Sequence, residues 1–242
     1  MAMDIVGFRV SSELAMFRRW YTTTSSVSYY FPPPTSVAGM IGAIMGISKE
    51  DLWKKFEGSI SIVIENPVKV IQQGVNYTNT KGGKTSSFRI RVLHHYLYNP
   101  SYLIFYKGPL SSKLLDFMQK KETKYPVYLG HAYNLATVEP INIEKTYELE
   151  NNYADSVIVN HINRIDWEKN NHIFIEKMDT RMDINRIPIE TKSIAYSFDV
   201  KTGKPLNIWL IEKQPLTYVK ISLLNNKRIN ESKELWIDWL RI

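Results

Sequence analysis

Most apolar positions in this chain fall in short alternating runs, the mark of half-buried strands, and helical spacing appears in only three places. Residues 4–10 read as a first strand, with Ile5, Val6, Phe8 and Val10 as its apolar positions. Residues 11–31 carry no clean period and form a long polar–aromatic connection, a kind of segment that is often functional in a compact domain. A helix follows Pro34, and a second, short one runs from Ser48 to residue 56, where Ser-Lys-Glu-Asp has capping-box spacing. Strand character returns over 59–65, 68–73 and 75–80. It resumes over 85–92 after Lys81-Gly82-Gly83-Lys84, which reads as a hairpin tip between two β-prone runs. On the returning strand Phe88, Ile90 and Val92 face one way, Arg89 and Arg91 the other. Residues 102–106 are another strand. Leu110, Leu114, Leu115 and Met118 mark an amphipathic helix capped by Ser111 or Ser112 and ending near Lys121, and β character resumes over 127–129 and 136–143.

The order strand, helix, strands, strand, helix, strand is that of the split βαβ, ferredoxin-like fold, and also of the RNA-recognition folds. The expected class is therefore α+β: a ferredoxin-like (RRM-like) N-terminal domain over 1–147 with a protruding β-hairpin thumb, plus a smaller β-rich C-terminal unit over 148–242. Residues 148–155 read as a linker or long loop. Short strands are expected over 173–176, 192–199, 208–212 and 218–223, with turns at Gly203-Lys204-Pro205 and Asn225-Asn226. The closing segment 235–242 is either a strand or helical turn anchored in the core or a partner-docking tail.

The most distinctive stretch is Tyr29-Tyr30-Phe31-Pro32-Pro33-Pro34-Thr35-Ser36 and the helix it enters. Consecutive prolines hold φ near the polyproline value and donate no hydrogen bonds, so a stiff strap leads to a helix that Thr35 or Ser36 can cap. Gly39, Gly42, Ala43 and Gly46 then lie on one stripe. Each glycine costs about 1 kcal/mol of helix propensity, so the stripe predicts close approach of another backbone, with simple helix–sheet packing as the competing explanation.

Composition narrows the class. At 242 residues and 44% hydrophobic content the chain is long enough, and apolar enough, for one large folded domain or two small ones. No run approaches about 18 apolar residues and the N-terminus lacks signal-peptide character, so a cytoplasmic protein with no membrane span is expected. Cysteine is absent, which excludes disulfides and thiolate metal sites. The histidines, His94, His95, His131, His161 and His172, show no metal-ligand spacing, and there is no phosphate loop or nucleophile elbow. No metal and no cofactor are expected. The net charge of +7 favours polyanions, or serves solubility alone.

Basic residues interleaved with aromatics are the best-supported chemical signal. Phe17-Arg18-Arg19-Trp20-Tyr21 offers guanidinium groups for phosphates and rings for unstacked bases; the alternative is that Phe17 and Trp20 are core and the arginines solvated. Tyr29 and Tyr30 either stack on RNA or brace the proline turn. Arg89, Arg91, Lys81 and Lys84 would give the hairpin a basic edge.

The stretches Phe17-Arg18, Phe31-Pro32-Pro33-Pro34-Thr35 and Gly39-Met40-Ile41-Gly42-Ala43 resemble the N-terminal signature of CRISPR-associated protein family five, over roughly residues 1–140. Tyr128-Leu129-Gly130-His131 resembles that family's Tyr-Leu-Gly-Arg segment, with His131 in place of the arginine. The resemblance implies a subunit of a type I CRISPR surveillance complex (Cascade) that grips the 5′ handle of the guide RNA (crRNA). Its implied partners are the repeated backbone subunit and the large subunit, and its hairpin would act as the family's thumb. One branch of the family cuts guide precursors with a tyrosine, a lysine and a histidine. Here the neighbours of His94 are Leu93 and His95, so the adjacent Lys-His pair is missing. The expectation is a non-catalytic RNA-binding subunit using Arg18, Arg19, Trp20, Tyr21, Tyr29, Tyr30, Lys81, Lys84, Arg89, Arg91 and His131. The alternatives are a metal-independent endoribonuclease using His94 and His95, and a generic single-strand RNA-binding protein.

Overall fold

A computed structural model describes residues 5–22, 25–78, 89–159, 164–183, 185, 187–223 and 231–242. In chain order the elements are β1 (Ile5–Ser11), β2 (Leu14–Ala15), β3 (Phe17–Arg18), β4 (Ser28–Tyr29), α1 (Pro34–Met45), α2 (Lys49–Lys55), β5 (Ser59–Ile64), β6 (Val70–Thr78), β7 (Arg89–Tyr98), β8 (Ser101–Lys107), α3 (Ser111–Lys120), β9 (Thr137–Ala154), β10 (Ile158–Val159), β11 (Ile173–Met182), β12 (Pro188–Ser197), β13 (Ile208–Leu223), β14 (Glu231–Ile237) and β15 (Leu240–Arg241).

The alternation of β1 buries Val6, Phe8 and Val10, and both edges of the strand are paired, with β8 and β9. Extended outward, this gives a seven-stranded antiparallel sheet of order β14-β13-β9-β1-β8-β5-β15. The helix α1 lies in the connection from β1 to β5 and α3 in that from β8 to β9. Val37, Ala38, Ile41, Ile44 and Met45 of α1 and Leu114 and Met118 of α3 join Phe8, Ile62 and Ile104 of the sheet in the main core. A second sheet, β10-β12-β11, sends Met178, Ile194 and Tyr196 into the same core from the other side of α1. A third, β2-β7-β6, forms an arm whose register runs from Val70↔Leu97 to Thr78↔Arg89. The tip expected at Lys81 and Lys84 and the turn expected at Asn225-Asn226 lie outside the described residues.

Several expectations are corrected. Neither Thr35 nor Ser36 caps α1: the helix starts at Pro34, Pro33 is the N-cap, and the Pro33 carbonyl accepts from the Ser36 and Val37 amides. A proline at the first helical position costs no hydrogen bond there, so no side-chain cap is required. The glycines do not form one tight interface. Gly46 ends the helix at φ +70°, Gly42 receives the Leu52 side chain of α2, and a Cβ at Gly39 would meet nothing within 4 Å. Ser111 and Ser112 are the first two residues of α3, whose N-cap is Leu110, with no side-chain cap.

Residues 148–154 are no linker but the second half of β9, paired with β13 from Glu148↔Thr217 to Ala154↔Ile208. The two runs expected over 208–212 and 218–223 are one strand, β13, irregular between Trp209 and Gln214. The closing segment is anchored rather than free: Leu235, Ile237 and Leu240 are buried, Leu240 pairs with Ile60, and the Trp239 indole donates to Thr217 at 2.8 Å. Of the C-terminal strands, β13, β14 and β15 extend the main sheet, and Val219, Ile221, Leu235 and Ile237 pack with Leu103, Phe105 and Ile141 in a second cluster, while β10, β11 and β12 form the separate sheet.

Candidate nucleic-acid interface

The segment without a period reaches β7 at Ser26. The Ser26 amide donates to the Leu93 carbonyl at 3.0 Å and the His95 amide to the Ser26 carbonyl at 2.9 Å. Within it β3 pairs with β4, Phe17 opposite Tyr29. Alternation then separates the basic–aromatic residues. Phe17 is buried against Tyr102 and Arg18 points out. Trp20 and Tyr21, 61% and 51% exposed and edge to face, stand on the turn beyond.

Arg19 and Tyr29 turn inward, against expectation. The Arg19 guanidinium pairs with Glu176 of β11 and lies over the rings of Tyr29 and Tyr30, while the Tyr29 hydroxyl donates to the Lys177 carbonyl at 3.1 Å. A carboxylate in a desolvated setting holds a guanidinium more firmly than solvent does, so Arg19 fastens the loop to the second sheet rather than facing a ligand. Tyr30 braces the turn against Tyr196 and Phe198. Pro32, Pro33 and Pro34 are buried.

A site that the sequence reading did not assemble forms where three distant segments meet. His94 of β7 is 2% exposed, and its ring stacks between those of Tyr77 and Tyr96. Its Nε2 is hydrogen-bonded to the Tyr77 hydroxyl at 3.0 Å and its Nδ1 to the Tyr96 hydroxyl at 3.3 Å. The Tyr96 hydroxyl continues to the Tyr133 hydroxyl at 2.7 Å, and Tyr133 to Nδ1 of His131. The result is a hydrogen-bonded chain of five side chains, Tyr77–His94–Tyr96–Tyr133–His131, which emerges at Tyr133, 65% exposed.

Gly130 positions its outer end. The Met16 amide donates to the Leu129 carbonyl at 3.1 Å, and Gly130, at φ +88°, lies so close that any Cβ would overlap the Met16 carbonyl. Only glycine allows that approach. The turn that follows, closed by the Asn134 amide on the His131 carbonyl at 2.9 Å, sets His131 and Tyr133 beside the arm.

Burial holds the His94 pKa below the ordinary imidazole value, and Arg18 lowers it further. Burial, His94 and Arg18 act the same way on His131. Both imidazoles are neutral at neutral pH, each with one N–H and one lone pair, while burial and Tyr133 push the Tyr96 phenol up. His131 Nε2 makes no hydrogen bond among the described residues, so it and Tyr133 form the accessible end of the chain, with Arg18 as the nearby cation.

The remaining candidates divide by face. In the β6–β7 register, Tyr77, His94 and Tyr96 share one face of the arm, and Arg89, Arg91 and His95 the other. Arg89 and Arg91 are exposed, make no ion pair among the described residues, and Arg91 lies over Gly74. They do not join Arg18 in one cradle. Among the described residues no cluster of three histidine or acidic side chains could hold a metal, and no helix is long and apolar enough to cross a membrane.

A family model described as "CRISPR-associated protein (Cas_Cas5)" matches residues 5–197. No curated protein sequence matches the chain. Among solved structures, a chain of a "CRISPR RNA-guided surveillance complex" is similar at TM-score 0.55 and 11% identity, over 88% of this chain and 91% of that one. A chain from the cryo-EM structure of the type III-B Cmr-β complex bound to cognate target RNA and AMPPnP is similar at TM-score 0.52 and 13% identity, over 84% and 86%. At these identities the two likenesses speak to fold.

Proposed function

Because the chain belongs to the CRISPR-associated Cas5 family, a family of CRISPR effector-complex subunits, we propose that it is the non-catalytic subunit that binds the 5′ handle of the guide RNA. In this reading the order β9-β1-β8-β5, with α1 and α3 in its two crossovers, is the ferredoxin-like unit, and the β6–β7 arm is its thumb. The observation that supports the reading is that Arg18 lies beside His94 and His131, next to the exposed rings of Tyr77 and Tyr133, with the exposed Trp20 and Tyr21 two and three residues along the chain from Arg18. Rings for unstacked bases beside a cation for phosphate are what single-strand recognition requires. Arg89 and Arg91, on the far face, would serve a contact with guide or neighbouring subunit beyond the handle. The repeated backbone subunit and the large subunit are the proposed partners.

The test is fluorescence anisotropy at physiological salt with handle RNA and a scrambled RNA of equal length. Tight binding of the handle alone, weakened by Trp20→Ala and Tyr133→Ala, supports the proposal. Equal affinity for both would leave a generic RNA binder, since phosphate contacts carry no sequence.

A second reading, metal-independent cleavage of precursor RNA, is favoured by the hydrogen-bonded chain ending in a neutral imidazole. His131, not His94 or His95, is then the base within reach of a 2′-hydroxyl: both nitrogens of His94 are already hydrogen-bonded, and His95 faces away. Incubation with repeat RNA in chelator decides it. Cleavage lost in His131→Ala would replace the binding-only role.

A further inference from the structure

Gly39 has no reason within this chain to be glycine. Its φ lies outside the left-handed region, a Cβ there would touch nothing within 4 Å, and α1 would gain helix propensity from almost any replacement. What lies above it is a cleft of about 580 Å³. Thr35, Ser36, Gly39, Met40 and Ala43 of α1 line one side, Leu52 and Trp53 of α2 another, and residues 125–128 with Gly130 a third. That third wall is tied to α1: the Lys124 and Tyr125 amides donate to the Ile44 and Ala43 carbonyls, each at 3.0 Å. Tyr125 and Tyr128 stand exposed at the rim, and Trp53 carries a buried indole N–H with no hydrogen-bond partner among the described residues.

Charge and continuity identify the occupant. Lys49 lines the cleft, and the chain entering its far wall reads Lys120-Lys121-Glu122-Thr123-Lys124-Tyr125, with Lys121 and Lys124 free of ion pairs among the described residues. One lysine in the lining, two more on the approach (Lys124 over the Phe117 ring) and exposed tyrosines at the rim fit a single-stranded nucleic acid better than an apolar peptide. The wall also continues through Gly130 directly into His131 and Tyr133, so the cleft and the hydrogen-bonded chain are two faces of one loop.

We infer that the cleft over Gly39 is a nucleobase subsite, taking one unstacked base of a single-stranded RNA whose neighbouring nucleotides cross Tyr133 and His131. The inference rests on the RNA-binding reading and extends it to a second, separately testable pocket. The missing side chain at Gly39 leaves room for the base edge, and the Tyr125 and Tyr128 rings are its stacking partners.

The test uses the full chain and handle RNA carrying 2-aminopurine at each position in turn. A Cβ at Gly39 meets nothing within 4 Å, so Gly39→Leu projects a side chain into the cleft and its melting temperature is expected to stay at or above that of the parent. A lost stacked base, at ~1–3 kcal/mol, lowers affinity about 5- to 150-fold. Fluorescence quenching disappears at one position only, and Tyr128→Ala reproduces the effect. Unchanged affinity and quenching in Gly39→Leu, with binding still lost in Tyr133→Ala, would overturn the subsite and leave the RNA interface standing. Unchanged RNA binding with lost co-purification of a neighbouring subunit would assign the cleft to a protein partner and equally overturn it. If the parent itself does not distinguish handle from scrambled RNA, the underlying reading fails instead.

Discussion

Gly130→Ala tests how the site is assembled. The methyl group would be built onto a backbone at φ +88° and into the Met16 carbonyl, which is main chain and cannot swing aside as a side chain would. An L-residue at positive φ costs about 1–2 kcal/mol. Relieving the overlap separates residues 128–131 from Met16 and removes the Met16–Leu129 hydrogen bond, about 1 kcal/mol more. A destabilisation of roughly 2–3 kcal/mol is expected from these two terms, measured as a shift in the urea midpoint at unchanged m-value. The consequence for the site is sharper. His131 and Tyr133 would leave the arm, so the His131 imidazole would move away from His94 and Arg18 and its NMR titration would move up toward the ordinary value, since burial and these two neighbours are what lower it. A variant within about 0.5 kcal/mol of the parent, with an unmoved His131 titration, would refute the claim that the bare backbone at Gly130 builds this surface.

Other expectations follow from the same geometry. Glu65 accepts from Arg9, Ser101 and Lys233, and these partners overcome burial to hold its pKa at about 2 instead of 4.5; at ~1.4 kcal/mol per unit this is roughly 3 kcal/mol of stability. Because the folded pKa is depressed, that contribution is complete above pH 4.5 and lost as pH falls toward 2, so Glu65→Gln should lower stability at pH 7 and flatten the acid limb of a denaturation series; an unchanged acid limb would contradict it. Arg19→Met leaves Glu176 buried without its cation, held by the Tyr196 hydroxyl alone among the described residues, and should cost about 3 kcal/mol by urea denaturation, as for one half of a buried pair, whereas Arg18→Ala should change stability by less than about 0.5 kcal/mol. Arg89→Ala with Arg91→Ala should reduce the salt dependence of RNA affinity without changing the preference for handle over scrambled sequence, read from anisotropy titrations between low and moderate salt.

Where burial imposes a period, the chain announced its structure. The first strand and the amphipathic helix α3 follow from alternation in Val6, Phe8 and Val10 and from the stripe Leu114, Met118. The second half of β9 was invisible for the converse reason. Residues 148–151 are themselves exposed or half-exposed although they pair with the buried Leu216 and Thr217 of β13, so nothing requires an apolar face of them and polar residues predominate. Within the site, Arg18, Trp20 and Tyr21 were legible as a basic–aromatic run. The inward turn of Arg19 depends on Glu176, 157 residues away, which local spacing cannot reveal. Tyr77, Tyr96 and Tyr133 were missed because each looks like an ordinary strand or loop tyrosine until register and the Gly130 contact bring it to a histidine. The one available signal was the glycine in Tyr128-Leu129-Gly130-His131, whose bare backbone is what lets His131 reach the arm.

The central claim, that the surface around Arg18, His131 and the arm holds the guide handle, is tested most directly by photocrosslinking the protein to handle RNA substituted with 4-thiouridine and mapping the adducts by mass spectrometry. Adducts at Trp20 or Tyr21 together with Tyr128 or Tyr133 are the predicted result. Adducts confined to the β9–β13 ribbon and β14, with none in residues 17–22 or 125–133, would contradict it.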